Sequence, residues 1–388
     1  MITSASKEDL TKTFKEEFNK VAKNVKKPNI LIVGGTGVGK STIVNSIFGE
    51  GTVEVGSGEP VTRGINPVSM PGKSVNLFDT EGFEIGKDNE GKFENEVVDY
   101  IKKSRSKSIE KQIHLVWHVV SASSTRVTSF DKKLHQKLQE VGIPIALIFS
   151  KCDEINGDDI SSMLKEFTAS LTFETAFGSQ DSPFFTTIDK EFLEAEENFH
   201  LSKVVDWSIS KLPESLSFAF TSAQMINVDA KRKAANSIIN QHAGGNALVG
   251  GSPIPFSDAP VLIASQATMI GRILFVYDMG NAKDMAYDFM KTTGASLIIS
   301  NMGRSIAGNL LKLIPGIGTV IGGVINASVA SVITYAMGKA TSELLYSLNK
   351  SILNGDESKA NEITEDFGKV FSEMFVQFFN KKSENGRI

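Results

Sequence analysis

A single cysteine, Cys152, in 388 residues excludes an internal disulfide and fits a reducing compartment. Histidine is almost as scarce. His114 and His118 sit inside an apolar run while His135, His200 and His242 are scattered, and none has a Cys, Glu or further His at metal-ligand spacing. A zinc-type centre is therefore not expected, and His114 and His118 read as core or rim residues of a strand. A basic surplus is missing too: Lys and Arg number 41 against 45 Asp and Glu, a formal net charge of -4. That balance disfavours a surface that tracks nucleic-acid phosphates, so nucleic acid is not an expected partner. Residues 1–27, rich in Lys and Glu, lack the apolar stretch of an export signal, which predicts a cytoplasmic protein.

Charge is absent altogether from Leu313 to Gly338, a stretch of 26 residues. Its length suffices to cross a bilayer. Yet Gly316, Gly318, Gly322, Gly323, Asn326, Ser328, Ser331 and Thr334 lower its hydropathy. Small residues at such density also let helices approach closely. The reading favours a helical core, buried or reversibly membrane-inserting, over a spanning segment. Peripheral or integral attachment at the inner face of a membrane stays open.

What is present begins with Asn29 to Val33, an apolar strand-like run leading into Gly34-Gly35-Thr36-Gly37-Val38-Gly39-Lys40-Ser41-Thr42. This fits G-x-x-x-x-G-K-[ST], between a strand and a helix as the motif requires. Glycines let successive backbone N–H groups point into one concavity, and the next helix offers its positive end to the same anion. Gly35 to Thr42 would cradle phosphate, with Lys40 on the β and γ phosphates and Ser41 on Mg²⁺. Gly49 to Met70 follows, read as a flexible loop rich in Gly, Pro and Thr, and Thr62 within it is the candidate switch residue that caps Mg²⁺.

Ser74 to Phe78 reads as a buried strand ending in Asp79-Thr80-Glu81-Gly82. An Asp at a strand tip followed three residues later by Gly is where a nucleotide hydrolase holds Mg²⁺ water and senses the γ-phosphate. Phe83 stands where a water-orienting Gln would be expected, so unaided hydrolysis is expected to be slow. Lys40, Thr62 and Gly82 make up the expected catalytic group. Gln112 to Ser121 reads as a third strand, Phe130 to Val141 as a helix and Gly142 to Phe149 as a fourth strand.

Ser150-Lys151-Cys152-Asp153 follows the fourth strand. The Asp153 carboxylate can accept from guanine N1–H and the 2-amino group while the Lys151 stem lies over the base. Adenine lacks that donor pair, so GTP and GDP are expected rather than ATP. Two segments compete to close over the base. Pro183 to Ile188, which contributes Thr187, has the better spacing, whereas Phe218 to Ala223 has the more usual Ser-Ala sequence.

Gly34 to Ser41, Thr62, Asp79 to Gly82 and Ser150 to Asp153, in that order, resemble the Era-like GTPases of the translation-factor-related superfamily. The resemblance covers about residues 28–213 and implies an α/β fold with a doubly wound sheet, nucleotide lying at the carboxyl edge of the strands. Ser150 departs from the commoner Asn, and Phe83 from the Gln. From Ser215 onward, Pro253 to Pro260, Gln266, Met269 and Leu313 to Gly318 resemble a bacterial helical domain of unknown function fused to GTPases.

The expected organisation is an N-terminal helix over 1–27, a GTPase domain over 28–213 and an all-α domain over 214–388. The expected activity is slow, Mg²⁺-dependent hydrolysis of GTP coupled to the helical domain, with membrane lipid and an activating protein or a second copy of the chain as partners. The competing readings are a soluble, non-enzymatic GTP switch that recruits a protein or ribonucleoprotein, and a plain ATPase. A stripe of Ile363, Phe367, Val370, Phe371, Met374, Phe375, Phe378 and Phe379 at helical period is expected to dock on the bundle.

Overall fold

The computed structural model describes residues 16, 19–21, 23–49, 65–80, 90–168, 181–189, 191, 193, 199–244, 248–249, 252–253, 259–278 and 327–386. Thr62, Glu81, Gly82, Phe83, most of the N-terminal helix and residues 313–326 of the uncharged tract lie outside them. Chain contacts divide the molecule into one unit over Lys26–Asn227 and another over Met1–Val25 with Val228–Ile388.

The first unit is α/β. Its strands are β1 (Asn29–Val33), β2 (Ile65–Val68), β3 (Asn76–Thr80), β4 (Leu115–Ser121), β5 (Ile145–Ser150) and β6 (Phe184–Phe185). They form one sheet in the order β2-β3-β1-β4-β5-β6, with every neighbouring pair parallel except β2 and β3. Between them run α1 (Lys40–Phe48), α2 (Glu90–Ser104), α3 (Ser129–Val141) and α4 (Gly157–Lys165), and after β6 come α5 (Ser202–Lys211) and α6 (Glu214–Ala223).

Strand residues alternate between two covered faces. Ile30, Ile32, Trp117, Val119 and Ile148 join a core with residues of α1, α5 and α6, while Leu31, Val33 and Val116 join another with α2 and α3. Leu216, Phe220 and Ala223 of α6 belong to the first core, and Phe220 meets Phe48 and Trp117 edge-on at centroid distances of 5.9 and 6.2 Å. Burial of these apolar side chains accounts for the contact boundary falling after Asn227 rather than near Pro213.

Strand β2 falls within Gly49 to Met70, whose Gly, Pro and Thr content points to a flexible loop, and Asn66 and Pro67 are poor strand formers. It pairs antiparallel at the sheet edge, with Pro67 opposite Phe78, where a proline's missing N–H is tolerated.

The second unit is helical: α7 (Val228–Ala243), α8 (Ala259–Val276), α9 (Ala327–Leu353), α10 (Glu357–Glu365) and α11 (Phe367–Gly386), with a short hairpin of Leu248–Val249 and Ser252–Pro253. The aromatic stripe is split between α10 and α11 near Asp366, and Ile363, Phe371, Phe375 and Phe379 are buried. Polar contacts tie the bundle: Gln266 Nε2 donates to Thr334 Oγ1 at 3.1 Å, and Glu343 accepts from Arg232 and Lys339. Residues 327–338 of the uncharged tract lie in α9, where Val332, Ala336 and Met337 are buried. No helix among the described residues is long and apolar enough to cross a membrane.

Gly338 shows why small residues matter in α9. A Cβ there would stand 2.6 Å from Ile239 Cγ1 of α7 and 3.1 Å from the Met269 sulfur of α8. Gly338→Val is expected to lower stability by about 3 kcal/mol through overpacking, read as an earlier urea midpoint for the helical unit. An unchanged midpoint would show that the helices separate there without cost.

Candidate nucleotide site

The loop between β1 and α1 is shaped by glycines that no larger residue could replace. Gly34 has φ 151°, and a Cβ on it would lie 2.3 Å from Val119 O of β4. Gly39 has φ 95° and caps α1, so the helix begins without a side-chain cap and its first N–H groups face the concavity. Lys40 is 8% exposed, and its Nζ donates to Gly34 O and Gly35 O at 3.0 Å each. Burial holds its pKa below the ordinary lysine range, opposed by the charge of Asp79. Ser41 and Thr42 are exposed in the first turn of α1.

Register places Asp79 beside Ile32, one residue from the end of β1. Burial pushes its carboxyl up to about 6, against the opposing pull of Lys40 and the Thr80 backbone N–H. Its Oδ1 is buried and has no hydrogen-bond partner among the described residues. An unpartnered buried carboxylate oxygen is costly and calls for a cation or a water bound to one. Asp79 and the Ser41 hydroxyl are hard oxygen donors of the kind Mg²⁺ takes, so the residues fit that ion.

The third segment leaves β5. The Ser150 hydroxyl donates to Val38 O at 2.6 Å, tying the turn after β5 to the loop between β1 and α1. Lys151 adopts the left-handed region at φ 55°, which turns the chain into a short 3-10 turn, Cys152–Glu154. Cys152 is buried and its thiol is pushed up to about 12, chiefly by burial, so it is inert.

Strand β6 pairs Phe184 with Ile148 and Phe185 with Phe149, carrying Thr187 to Asp153. The Thr187 hydroxyl donates to Asp153 Oδ1, and Asp189 N donates to Thr187 Oγ1 at 3.0 Å. Phe218 to Ala223, the rival segment, lies in α6, where Phe220 to Ala223 are buried. One residue not foreseen from sequence is Thr186. Its N–H donates to Phe149 O at 2.7 Å and its carbonyl accepts from Cys152 N at 3.2 Å, a tie that follows from strand register rather than from any motif.

The glycine-rich loop, Asp79 and the Ser150–Asp153 segment thus lie at the carboxyl ends of the parallel strands β1, β3 and β5. Residues 29–151 match the family described as 50S ribosome-binding GTPase. The chain carries a P-loop GTPase domain. Residues 220–370 match a second family, a domain of unknown function (DUF697).

The GTPase domain is similar to GTPase Era of Caldicellulosiruptor saccharolyticus, 26% identical over 37% of this chain and 46% of that one. It is also similar to GTPase Der of Mycoplasmopsis agalactiae, 29% identical over 35% of this chain and 29% of that one. A solved structure of a probable GTP-binding protein engB aligns at 18% identity over 48% of this chain and 99% of that one, with a TM-score of 0.34. The chain spans less than half the length of the Era and Der relatives.

Behind the GTPase domain's phosphate loop lies a buried polar cluster. His118 and His135 stack, their Nδ1 atoms 3.3 Å apart, and Asp131 Oδ1 lies 3.7 Å from His118 Nε2. Burial raises the Asp131 carboxyl, but His118 and Thr128 outweigh it and hold it below its ordinary range. The His114 pKa is lowered mainly by burial, and its Nδ1 accepts from Asn29 N at 2.9 Å. No group of three or more His, Cys, Asp or Glu side chains placed to hold a metal appears among the described residues.

His135 is 7% exposed, and burial followed by the charge of His118 pushes it down to about 4 from 6.5. The native form then binds fewer protons than the unfolded chain, so its stability is fully present above about pH 6.5 and is lost as pH falls towards 4. The expected loss is about 3 kcal/mol. Urea titrations across this range should show that slope, and His135→Leu should flatten it; an equal slope in the variant would place its origin elsewhere.

Proposed function

We propose that this chain is a Mg²⁺-dependent guanine-nucleotide switch that hydrolyses GTP slowly unaided and passes its nucleotide state to the helical unit. The observation that carries the reading is the convergence of Lys40, Asp79 and the Asp153–Thr187 pair at one sheet edge. In this reading the amides of Gly35 to Gly39 and the Lys40 ammonium bind the β and γ phosphates, a placement that needs no reorganisation as charge develops. Ser41 and Thr62 would ligate Mg²⁺, with Asp79 holding one of its waters. Mg²⁺ held by these residues would neutralise charge that develops on the phosphates.

Gly82 would offer its amide to the γ-phosphate. Lys151 covers the base, and the Asp153 carboxylate, fixed by the Thr187 hydroxyl, accepts the two guanine donors. Slow hydrolysis follows from Phe83, which has no polar atom with which to orient an attacking water. An activating protein or a second copy of the chain would supply that group. A single-turnover assay of the monomer should give a rate near that of unassisted switch proteins, about 10⁻⁴ to 10⁻² per second. Rapid turnover by the monomer would overturn it.

We place the functional border between the two domains where the contacts divide, with α6 acting as part of the nucleotide unit. Residues 313–326 are the segment proposed to reach a membrane or partner, because they lack charge entirely.

A further inference from the structure

The end of the sheet opposite the nucleotide carries a concentration of positive charge that the overall net charge conceals. Between the end of α2 and the start of β4 the chain presents Lys102, Lys103, Arg105, Lys107 and Lys111, all exposed, against one carboxylate, Glu110. Lys26 and Lys27, just before β1, lie on the same edge: Lys26 Nζ is 3.0 Å from Glu110 Oε1, and Lys27 Nζ donates to Lys73 O at 2.8 Å. Among the residues whose exposure is described, Asp99 and Glu140 are the other exposed carboxylates on the flanking helices α2 and α3.

This loop is built rather than slack. Asn29 Nδ2 donates to Glu110 O and Gln112 O at 2.9 and 2.6 Å, Gln112 Nε2 donates to Lys107 O at 2.8 Å, and Ile113 N donates to Ser104 Oγ at 3.1 Å. Arg105 is committed to Gly142 O at 2.8 Å, and Lys107 lies 5.8 Å above the Tyr100 ring. Lys102, Lys103 and Lys111 make no ion pair or hydrogen bond through their ammonium groups among the described residues. A helix C-terminus favours cations in its last turn, which accounts for Lys102 and Lys103 but not for Arg105, Lys107 and Lys111 beyond it.

We infer that this basic face is a docking surface for an anionic lipid bilayer. Exposed ammonium groups on a short rigid platform suit a partner whose negative charge is spread over a plane and needs no specific geometry. Recognition of single-stranded RNA would need aromatic platforms for bases. The aromatic ring on this face, Tyr100, is 8% exposed and lies beneath Lys107. The proposal concerns a face of the GTPase unit and does not depend on the helical unit reaching a membrane.

The test is co-sedimentation of the full chain with vesicles of phosphatidylcholine alone and of phosphatidylcholine with phosphatidylserine. Binding should appear only with phosphatidylserine and weaken as salt rises. Lys102→Gln, Lys103→Gln and Lys111→Gln together should reduce it about a hundredfold, at about fivefold per lysine, while GDP binding stays unchanged. Binding that ignores lipid charge and the triple variant would assign membrane contact to the helical unit and overturn the proposal. So would absence of vesicle binding, or retention by an RNA duplex in place of vesicles.

Discussion

Asp153→Asn will lower GTP affinity by about two to four orders of magnitude, while leaving the fold intact. The carboxylate would accept two hydrogen bonds from guanine, and bonds to a charged group contribute about 1.5 to 3 kcal/mol each. The amide keeps one acceptor and presents a donor where guanine also donates. Two side-chain ties already fix the neighbourhood: the Thr187 hydroxyl donates to Asp153, and Ser150 anchors the preceding turn to Val38 O. Thr187→Val is a graded control, since it removes the orienting hydroxyl and keeps the carboxylate, and a loss of about tenfold is expected. Calorimetric titration with GDP and GTP measures both. Near-equal affinity of the Asp153→Asn protein would remove the base-selecting role from this loop.

The second large effect pairs opposite signs in one variant. Asp79→Asn should stabilise the nucleotide-free protein by about 2 kcal/mol near pH 7 and, at the same time, remove the dependence of GTP binding on Mg²⁺. The stabilisation follows from the raised carboxyl, near 6 in the folded chain against 3.8, discounted for its partial exposure. A carboxyl raised in this way favours folding less as pH climbs through its unfolded and then its folded value. The gain from Asn should therefore shrink towards zero below about pH 4. Thermal melts across pH, with and without MgCl₂, read both halves. A variant that is less stable than the parent at pH 7 would show that the Asp79 carboxylate has a partner that offsets its burial.

The sequence carried the chemistry of this site more clearly than its assembly. Gly34 to Ser41 and Ser150 to Asp153 are contiguous segments, so each is legible in the sequence as a pattern without knowledge of the fold. Spacing favours Thr187 over the more familiar Ser222-Ala223. Strand β6 puts Thr187 against Asp153, and α6 draws the rival segment into the core between α1 and the sheet. Tertiary burial decides that second placement, and no local pattern near Phe218 announces it.

Strand β2 was hidden because Pro67 marks it as loop, and only its pairing with β3 makes it a strand. The His118–His135 stack joins residues on β4 and α3 whose meeting depends on helix docking. The aromatic stripe was readable as one amphipathic face, yet its break near Asp366 was not, because Phe367 continues the apolar period.

The central claim is that the strand-edge site selects guanine and holds it with Mg²⁺. It is tested most directly by competition of unlabelled GTP and ATP against fluorescent GDP on the full chain in the presence of MgCl₂. GTP should displace the probe at stoichiometric concentrations and ATP should not until about 10⁴-fold excess, and replacing the metal with EDTA should weaken GTP binding. Equal displacement by ATP would contradict the claim.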